Sequence, residues 1–80
     1  MIKLSKNEEI VLRILGDKPL SLEEIADKFY HGDIPFEGTN LVGNFIRRIR
    51  RKCEFDPKTL WTIHDEIHEG KTKVFWRGKK

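Results

Sequence analysis

Residues 40–53 read NLVGNFIRRIRRKC, and this stretch combines regularly spaced apolar residues with a run of arginines. At about 100° per residue, its apolar members fall on one side of a helix: Leu41, Val42, Phe45, Ile46, Ile49 and Cys53. The opposite side carries amide and guanidinium groups, from Asn40, Asn44, Arg47 and Arg51, with Arg48 and Arg50 flanking them. The stretch predicts a long amphipathic helix, capped by Thr39 or Asn40, with a positively charged free face.

Two Ser-x-x-Glu motifs upstream, at residues 5–8 and 21–24, have the form of capping boxes. In such a box the serine side chain accepts a hydrogen bond from the glutamate N–H, and the glutamate side chain accepts one from the serine N–H. Apolar residues recur at helical spacing after each motif. The motifs predict a first helix over residues 6–15 and a second over residues 22–30.

Beyond Pro57 the apolar pattern alternates, which predicts strands over residues 59–68 and 71–77. Glu69-Gly70 between them suits a two-residue hairpin turn. Pairing across such a turn gives a mainly apolar face, made of the pairs Ile63/Trp76, Asp65/Val74 and Ile67/Thr72. It gives a polar face on the other side, made of the pairs His64/Phe75, Glu66/Lys73 and His68/Lys71. The apolar face is expected to cover the helices, with Asp65 as its acidic member.

Length and composition bound what the chain can be. Eighty residues suffice for a single domain, 1–80, and one cysteine excludes an intramolecular disulfide framework and a four-thiolate zinc site. No apolar run approaches the roughly 20 residues that cross a bilayer, so we expect a cytoplasmic protein without a membrane partner.

The charge of the chain is unevenly distributed. Residues 1–40 hold five Lys and Arg against eight Asp and Glu, a balance of −3. Residues 41–80 hold eleven against five, a balance of +6. The basic half is expected to face a polyanion such as nucleic acid.

Three helices followed by a C-terminal β-hairpin predict an α+β fold, the winged helix-turn-helix, with the third helix as the recognition helix. Arg can bridge guanine O6 and N7, and Asn can bridge adenine N6 and N7. We therefore expect sequence-specific binding of double-stranded DNA, with base contacts from Asn40, Asn44, Arg47 and Arg51. Phosphate contacts are expected from Arg48, Arg50, Lys71 and Lys73.

Three segments also resemble the DNA-binding effector domain of OmpR/PhoB-type response regulators: residues 4–15, LSLEEI at 20–25 and VGNFIRRIRRKC at 42–53. The third segment is the most specific, because the recognition helix of that family carries a similar Val-x-Val-x-Ile-x-x-Leu-Arg-x-Lys run. The resemblance implies the winged-helix fold and a loop at 31–38 that can touch RNA polymerase. A receiver domain and the Gly-x-Gly-Tyr of the family's hairpin are missing. We therefore expect a stand-alone transcriptional regulator of a phage or other mobile element.

The loop at residues 31–38 contains two glycines and a proline, and its Ile34 and Phe36 are expected to pack against the core. An alternative function uses the same region. Together with the acidic side chains of the first half, the loop could form a surface for a protein partner such as RNA polymerase or another host factor.

Enzymatic functions are disfavoured. His64 and His68 lie four residues apart, as in zinc proteases, but on a strand they would be about 13 Å from each other. Cys53 falls on the apolar stripe and is expected to be a core residue. We expect no catalytic residue, no metal site and no cofactor.

Overall fold

The computed structural model describes residues 2–80 as three helices and a three-stranded antiparallel sheet. The helices are α1 (Lys6–Ile14), α2 (Leu22–Phe29) and α3 (Gly38–Phe55), and the strands are β1 (Leu20–Ser21), β2 (Trp61–His68) and β3 (Thr72–Lys79). The strand order is β1-β3-β2, so β3 is central. The predicted α+β class, with three helices and a C-terminal hairpin, is confirmed. Strand β1 is an element that the sequence pattern did not predict.

Both predicted capping boxes are formed. Ser5 Oγ accepts from the Glu8 N–H at 3.2 Å, and Glu8 Oε1 accepts from the Ser5 N–H at 2.8 Å. The corresponding distances between Ser21 and Glu24 are 3.1 Å and 3.0 Å. These bonds satisfy N–H groups that the first turn of a helix leaves without partners. As predicted, α1 and α2 therefore begin directly after their serines, and each ends one residue earlier than expected.

The core is one cluster, and within it α3 packs against α1, α2 and β2. Its buried apolar side chains on α3 are Val42, Ile46, Ile49 and Cys53. They meet buried side chains of α1, α2 and the sheet, namely Val11, Leu15, Ile25, Ala26, Ile63 and Phe75. The predicted stripe is therefore correct except at Leu41, which is 47% exposed. Leu41 lies about 100° from Val42 around the helix, at the edge of the stripe.

Helix α3 begins earlier than predicted. Its N-cap is Glu37, with φ 68° and no side-chain cap, rather than Thr39 or Asn40. The next residue, Gly38, packs so closely on the preceding loop that a Cβ would lie 2.9 Å from Ile34 Cγ2. This close approach fixes where the helix starts, so a polar cap further along is not used.

The expectation that Ile34 and Phe36 pack inside is wrong, because their side chains are 39% and 92% exposed. The Gly38 N–H donates to the Pro35 carbonyl at 2.9 Å, closing a four-residue turn. The positive φ of Glu37 suits the third position of such a turn. Phe36 therefore lies at the corner of the turn and faces outward.

The hairpin turn has three residues instead of two. Glu69 and Gly70 have φ values of 55° and 70°, and the Lys71 N–H donates to the His68 carbonyl at 3.1 Å. His68 pairs with Thr72, so the whole register is one residue away from the predicted one. A slip of one residue exchanges the faces of a strand.

The new register changes which side chains of β3 face the helices. Phe75 lies on the core side with Ile63, where both are buried, whereas it was predicted on the polar face. Val74 and Trp76 lie on the other face. Asp65 stays on the helix-facing side and pairs with Phe75. The exchange places Phe75 in the core cluster, while Val74 is buried outside that cluster.

Strand β1 covers the second edge of β3 through the pairs Leu20/Phe75 and Ser21/Val74. Ser21 therefore belongs to the sheet and is also the N-cap of α2. This short strand holds the connection between α1 and α2 against the hairpin, which brings the start of α2 close to the groove described next.

Candidate nucleic-acid interface

The outward face of α3 carries the predicted base-contacting residues. Asn40, Asn44, Arg47 and Arg51 are all exposed, as is Arg48 beside them. The ion pairs formed within residues 2–80 involve none of the three arginines at 47, 48 and 51. Their guanidinium groups are therefore available to an external anion or hydrogen-bond acceptor.

A groove of about 380 Å³ separates α3 from the hairpin. Five of the eight predicted residues line it, which are Asn40, Asn44, Arg47, Arg50 and Lys73. Leu22, Gly43, Asp65 and Phe75 complete its walls. Arg48 and Arg51 lie on α3 outside the groove, and Lys71 lines a neighbouring hollow at the start of α2. The fold thus brings side chains that are distant in sequence to one concave surface.

Arg50 differs from the other arginines of α3 because it has partners within the chain. Its Nε donates to the Ile63 carbonyl at 2.9 Å, and its Nη2 lies 3.4 Å from Asp65 Oδ1. The side chain is only 29% exposed. This guanidinium therefore connects α3 to β2, and fewer of its N–H groups remain for a phosphate than on Arg47.

Asp65 lines the groove, although the sequence pattern indicates only that it is the acidic member of an apolar face. Lys73 Nζ lies 3.5 Å from its Oδ2, so Lys73 contacts Asp65 and not Glu66, its predicted partner. Glu66 instead lies 2.8 Å from His68 Nε2. The corrected register explains both contacts, because Asp65 and Lys73 share one face of the hairpin while Glu66 faces the other.

Asn40 is held by a second residue that the sequence did not single out. Its Nδ2 donates to Glu37 Oε2 at 2.7 Å, and both side chains are exposed. The contact leaves the Asn40 amide oxygen facing solvent at the first turn of α3. It also places a carboxylate at this end of the groove, whereas Arg47 lies further along the helix.

Most of the acidic residues of the first half lie away from the groove, whereas Glu37 contacts Asn40 at one end of it and Glu23 lines the neighbouring hollow with Lys71. Glu23, Glu24 and Asp27 line a separate hollow on α2 together with Ile34. Glu8 is 2% exposed and pairs with Lys52, whose Nζ lies 2.7 Å from Glu8 Oε1. The charge asymmetry of the sequence therefore corresponds largely to separate surfaces of the fold.

The titratable side chains that suggested other chemistry are engaged elsewhere. His64 stacks on Trp76 with 5.6 Å between ring centroids, and His68 pairs with Glu66. Cys53 is fully buried, and burial raises the pKa of its thiol. Across residues 2–80, no three His, Cys, Asp or Glu side chains are grouped so that they could hold a metal ion.

Comparison with known protein families, curated proteins and solved structures finds no match to this chain. Within residues 2–80, none of the helices combines the length and the apolar character that crossing a membrane requires. We therefore infer a function from the chemistry of the groove and of α3.

Proposed function

We propose that this chain is a winged helix-turn-helix domain that binds double-stranded DNA sequence-specifically, as a small cytoplasmic regulator of transcription. In this proposal α3 is the recognition helix and the β2/β3 hairpin is the wing. The observation that carries it is the exposed face of α3, where Arg47 lines the groove about one helical turn after Asn44 and has no ion-pair partner within residues 2–80. The strand order, with β1 beside the hairpin, is compatible with this fold.

The exposed side chains of α3 have the chemistry for reading bases. The major groove of B-DNA is about 12 Å wide and admits an α-helix. Arg47 can donate two hydrogen bonds to guanine O6 and N7, and Asn44 can bond adenine N6 and N7 from the preceding turn. Arg51 lies one turn further along the same face. Base contacts from these positions would give the domain its sequence preference.

The phosphate contacts divide into two classes. Arg48 and Lys71 are exposed and have no ion-pair partner among residues 2–80, so a phosphate can bind them directly. Arg50 and Lys73 already contact Asp65. A phosphate would have to displace that carboxylate before it could pair with either of them. Phosphate contacts position a domain on the duplex and carry no direct sequence information.

The test is selection of binding sites from a random duplex library, followed by titration of the selected duplex at about 50 mM salt, where phosphate contacts are strong. We expect an enriched site and a fluorescence change from Trp61 or Trp76, or a gain in anisotropy of labelled DNA. Binding without an enriched site would indicate a non-specific binder. No duplex binding by the wild type would contradict the proposal.

A second candidate function is a protein-interaction module, and the exposure of Phe36 and Ile34 favours it. The loop 31–38 lies beside the acidic hollow of α2, so it offers an apolar centre next to carboxylates. RNA polymerase is the partner implied by the family resemblance. If the chain is a protein-interaction module of this kind, Phe36→Ser should weaken its association with purified RNA polymerase and leave its affinity for duplex DNA unchanged.

A further inference from the structure

We propose that Asp65 acts as an internal substitute for a DNA phosphate, which withholds Arg50 and Lys73 from the duplex. The inference rests on the proposed DNA-binding function and concerns the regulation of the same groove. By occupying two cations, Asp65 limits the part of the DNA affinity that does not depend on sequence. The chain thereby keeps a basic groove without becoming a strong general binder of polyanions.

The carboxylate of Asp65 uses its two oxygens as a phosphate would. Its Oδ1 lies 3.4 Å from Arg50 Nη2, and its Oδ2 lies 3.5 Å from Lys73 Nζ. Arg50 Nη2 is buried and has no hydrogen bond, and among the described residues Asp65 is the carboxylate that forms an ion pair with it. The same groove is lined by Arg47, which places the carboxylate on the surface that approaching DNA would meet.

These contacts are suited to being exchanged. Both distances exceed the roughly 3.2 Å limit of a good N–H···O hydrogen bond. The side chains of Asp65 and Lys73 are 31% and 57% exposed, and ion pairs in such positions contribute little to folding stability. A neutral side chain would fill the position without the cost of desolvating a charge. For the exposed pair with Lys73, a role in binding therefore explains the carboxylate better than a role in folding, whereas the contact with the buried Arg50 Nη2 also connects α3 to β2.

The central experiment compares the wild type with Asp65→Asn, which keeps the shape of the side chain and removes its charge. Affinities for the selected duplex and for an unrelated duplex are measured from about 50 mM to 400 mM salt. We expect the slope of log affinity against log salt to steepen by about one to two units, one for each recovered phosphate contact. At about 50 mM salt both duplexes should bind about tenfold more tightly, by the same factor, because phosphate contacts carry no sequence information.

Glu66→Gln is the matched control. It removes one negative charge from the neighbouring position of the same strand, but Glu66 faces the other side and contacts His68. We expect its salt slope to stay close to that of the wild type. An equal change in the two variants would mean that total charge alone is responsible, and it would overturn the role given to Asp65.

Lysine variants test the same idea without changing Asp65. Lys71→Ala should lower the salt slope by about one unit, because Lys71 has no carboxylate partner within residues 2–80. In the wild-type background, Lys73→Ala should lower the salt slope by less than half a unit, because Asp65 already occupies Lys73. In the Asp65→Asn background, the same substitution should lower the slope by about one unit. If Asp65→Asn fails to fold, the comparison of the two lysine variants still decides the matter. Equal losses from both would overturn the inference.

The inference and the proposed function fail in different ways. If the wild type binds the duplex and Asp65→Asn changes neither slope nor affinity, Asp65 does not compete with phosphate, and DNA binding stands. If Asp65→Asn loses affinity only for the selected duplex, the residue reads bases, which also overturns the inference. If the wild type does not bind duplex DNA at all, both fall together.

Discussion

Arg47 and Arg50 lie three residues apart on one helix and have different surroundings. Arg50 turns toward the sheet, where the Ile63 carbonyl and Asp65 engage its guanidinium. Arg47 lines the same groove and forms no ion pair within residues 2–80. The difference follows from the helical repeat, since the two side chains project about 60° apart. The sequence predicts a base contact for Arg47 and a phosphate contact for Arg50, and the structure adds that Arg50 is already engaged by Asp65.

Arg47→Ala should weaken binding to the selected duplex by about 1–3 kcal/mol and relax the preference at one base pair. The reason is the loss of a bidentate contact with a guanine. Equilibrium titration of the selected duplex and of its single-base variants measures both effects. Arg13→Ala, an exposed arginine on α1, is the control and should change neither. A loss that is equal for all sequences would assign Arg47 to a phosphate.

The Glu8 and Lys52 pair predicts a dependence of stability on pH. Burial alone raises the pKa of Glu8, but hydrogen bonds from Lys52 and the Ser5 N–H outweigh it and hold that pKa below its usual value of 4.5. A carboxyl group whose pKa is lowered by folding stabilises the fold above its unfolded pKa. This contribution is lost as the pH falls through the lower, folded value.

Lys52→Met should therefore cost roughly 1–3 kcal/mol of unfolding free energy near pH 7, because Glu8 keeps its charge and loses its cationic partner. The cost should shrink at pH 3, where Glu8 is increasingly protonated. Urea denaturation at the two pH values measures the difference. Lys18→Met, an exposed residue before β1, should show no such dependence. A cost for Lys52→Met that is independent of pH would contradict the role of the ion pair.

At the scale of the elements, the rotation of α3 determines which residues can meet DNA. Ile46 is 3% exposed and Leu41 is 47% exposed on the same helix. Ile46→Ala should destabilise the fold by about 2–5 kcal/mol, because it leaves a cavity at the core contact of α3. Leu41→Ala should cost less than about 1 kcal/mol. Thermal melting of both variants tests the rotation, and equal losses would place the basic face elsewhere.

The elements that could be predicted from the sequence are those specified by local contacts. Capping boxes join residues three apart, so the starts of α1 and α2 follow from Ser5 and Ser21. The start of α3 depends on a close contact between Gly38 and Ile34. No polar motif in the sequence predicts this contact. Strand β1 has two residues, too few to show an alternating pattern.

The hairpin shows why a register is harder to predict than a strand. Glu69-Gly70 fits a two-residue turn in sequence, but Lys71 joins the turn and shifts every pair by one. The error hid the contact of Asp65 with Lys73, because it placed Glu66 across from that lysine. The helix-facing position of Asp65 was predicted correctly, but its contact with Arg50 is visible only in three dimensions.

At the scale of the whole molecule, the division of charge seen in the sequence becomes a division of surfaces. The carboxylates of α2 surround their own hollow beside Ile34, while the cations of α3 and the hairpin line the groove. Such a dipolar distribution orients a small protein toward a polyanion as the two approach. The loop around Phe36 lies beside the hollow of α2, and none of its residues lines the groove.

The most direct test of the central claim is an NMR titration of the ¹⁵N-labelled wild type with the selected duplex. We expect amide and side-chain shifts to change at Asn40, Asn44, Arg47 and Arg51 on α3 and at Lys71 in the hairpin turn. The signals of Glu24 and Asp27 on α2 should stay in place. Absence of shifts at low salt, or shifts confined to the loop 31–38 and the acidic hollow, would contradict the claim that this face of α3 binds DNA.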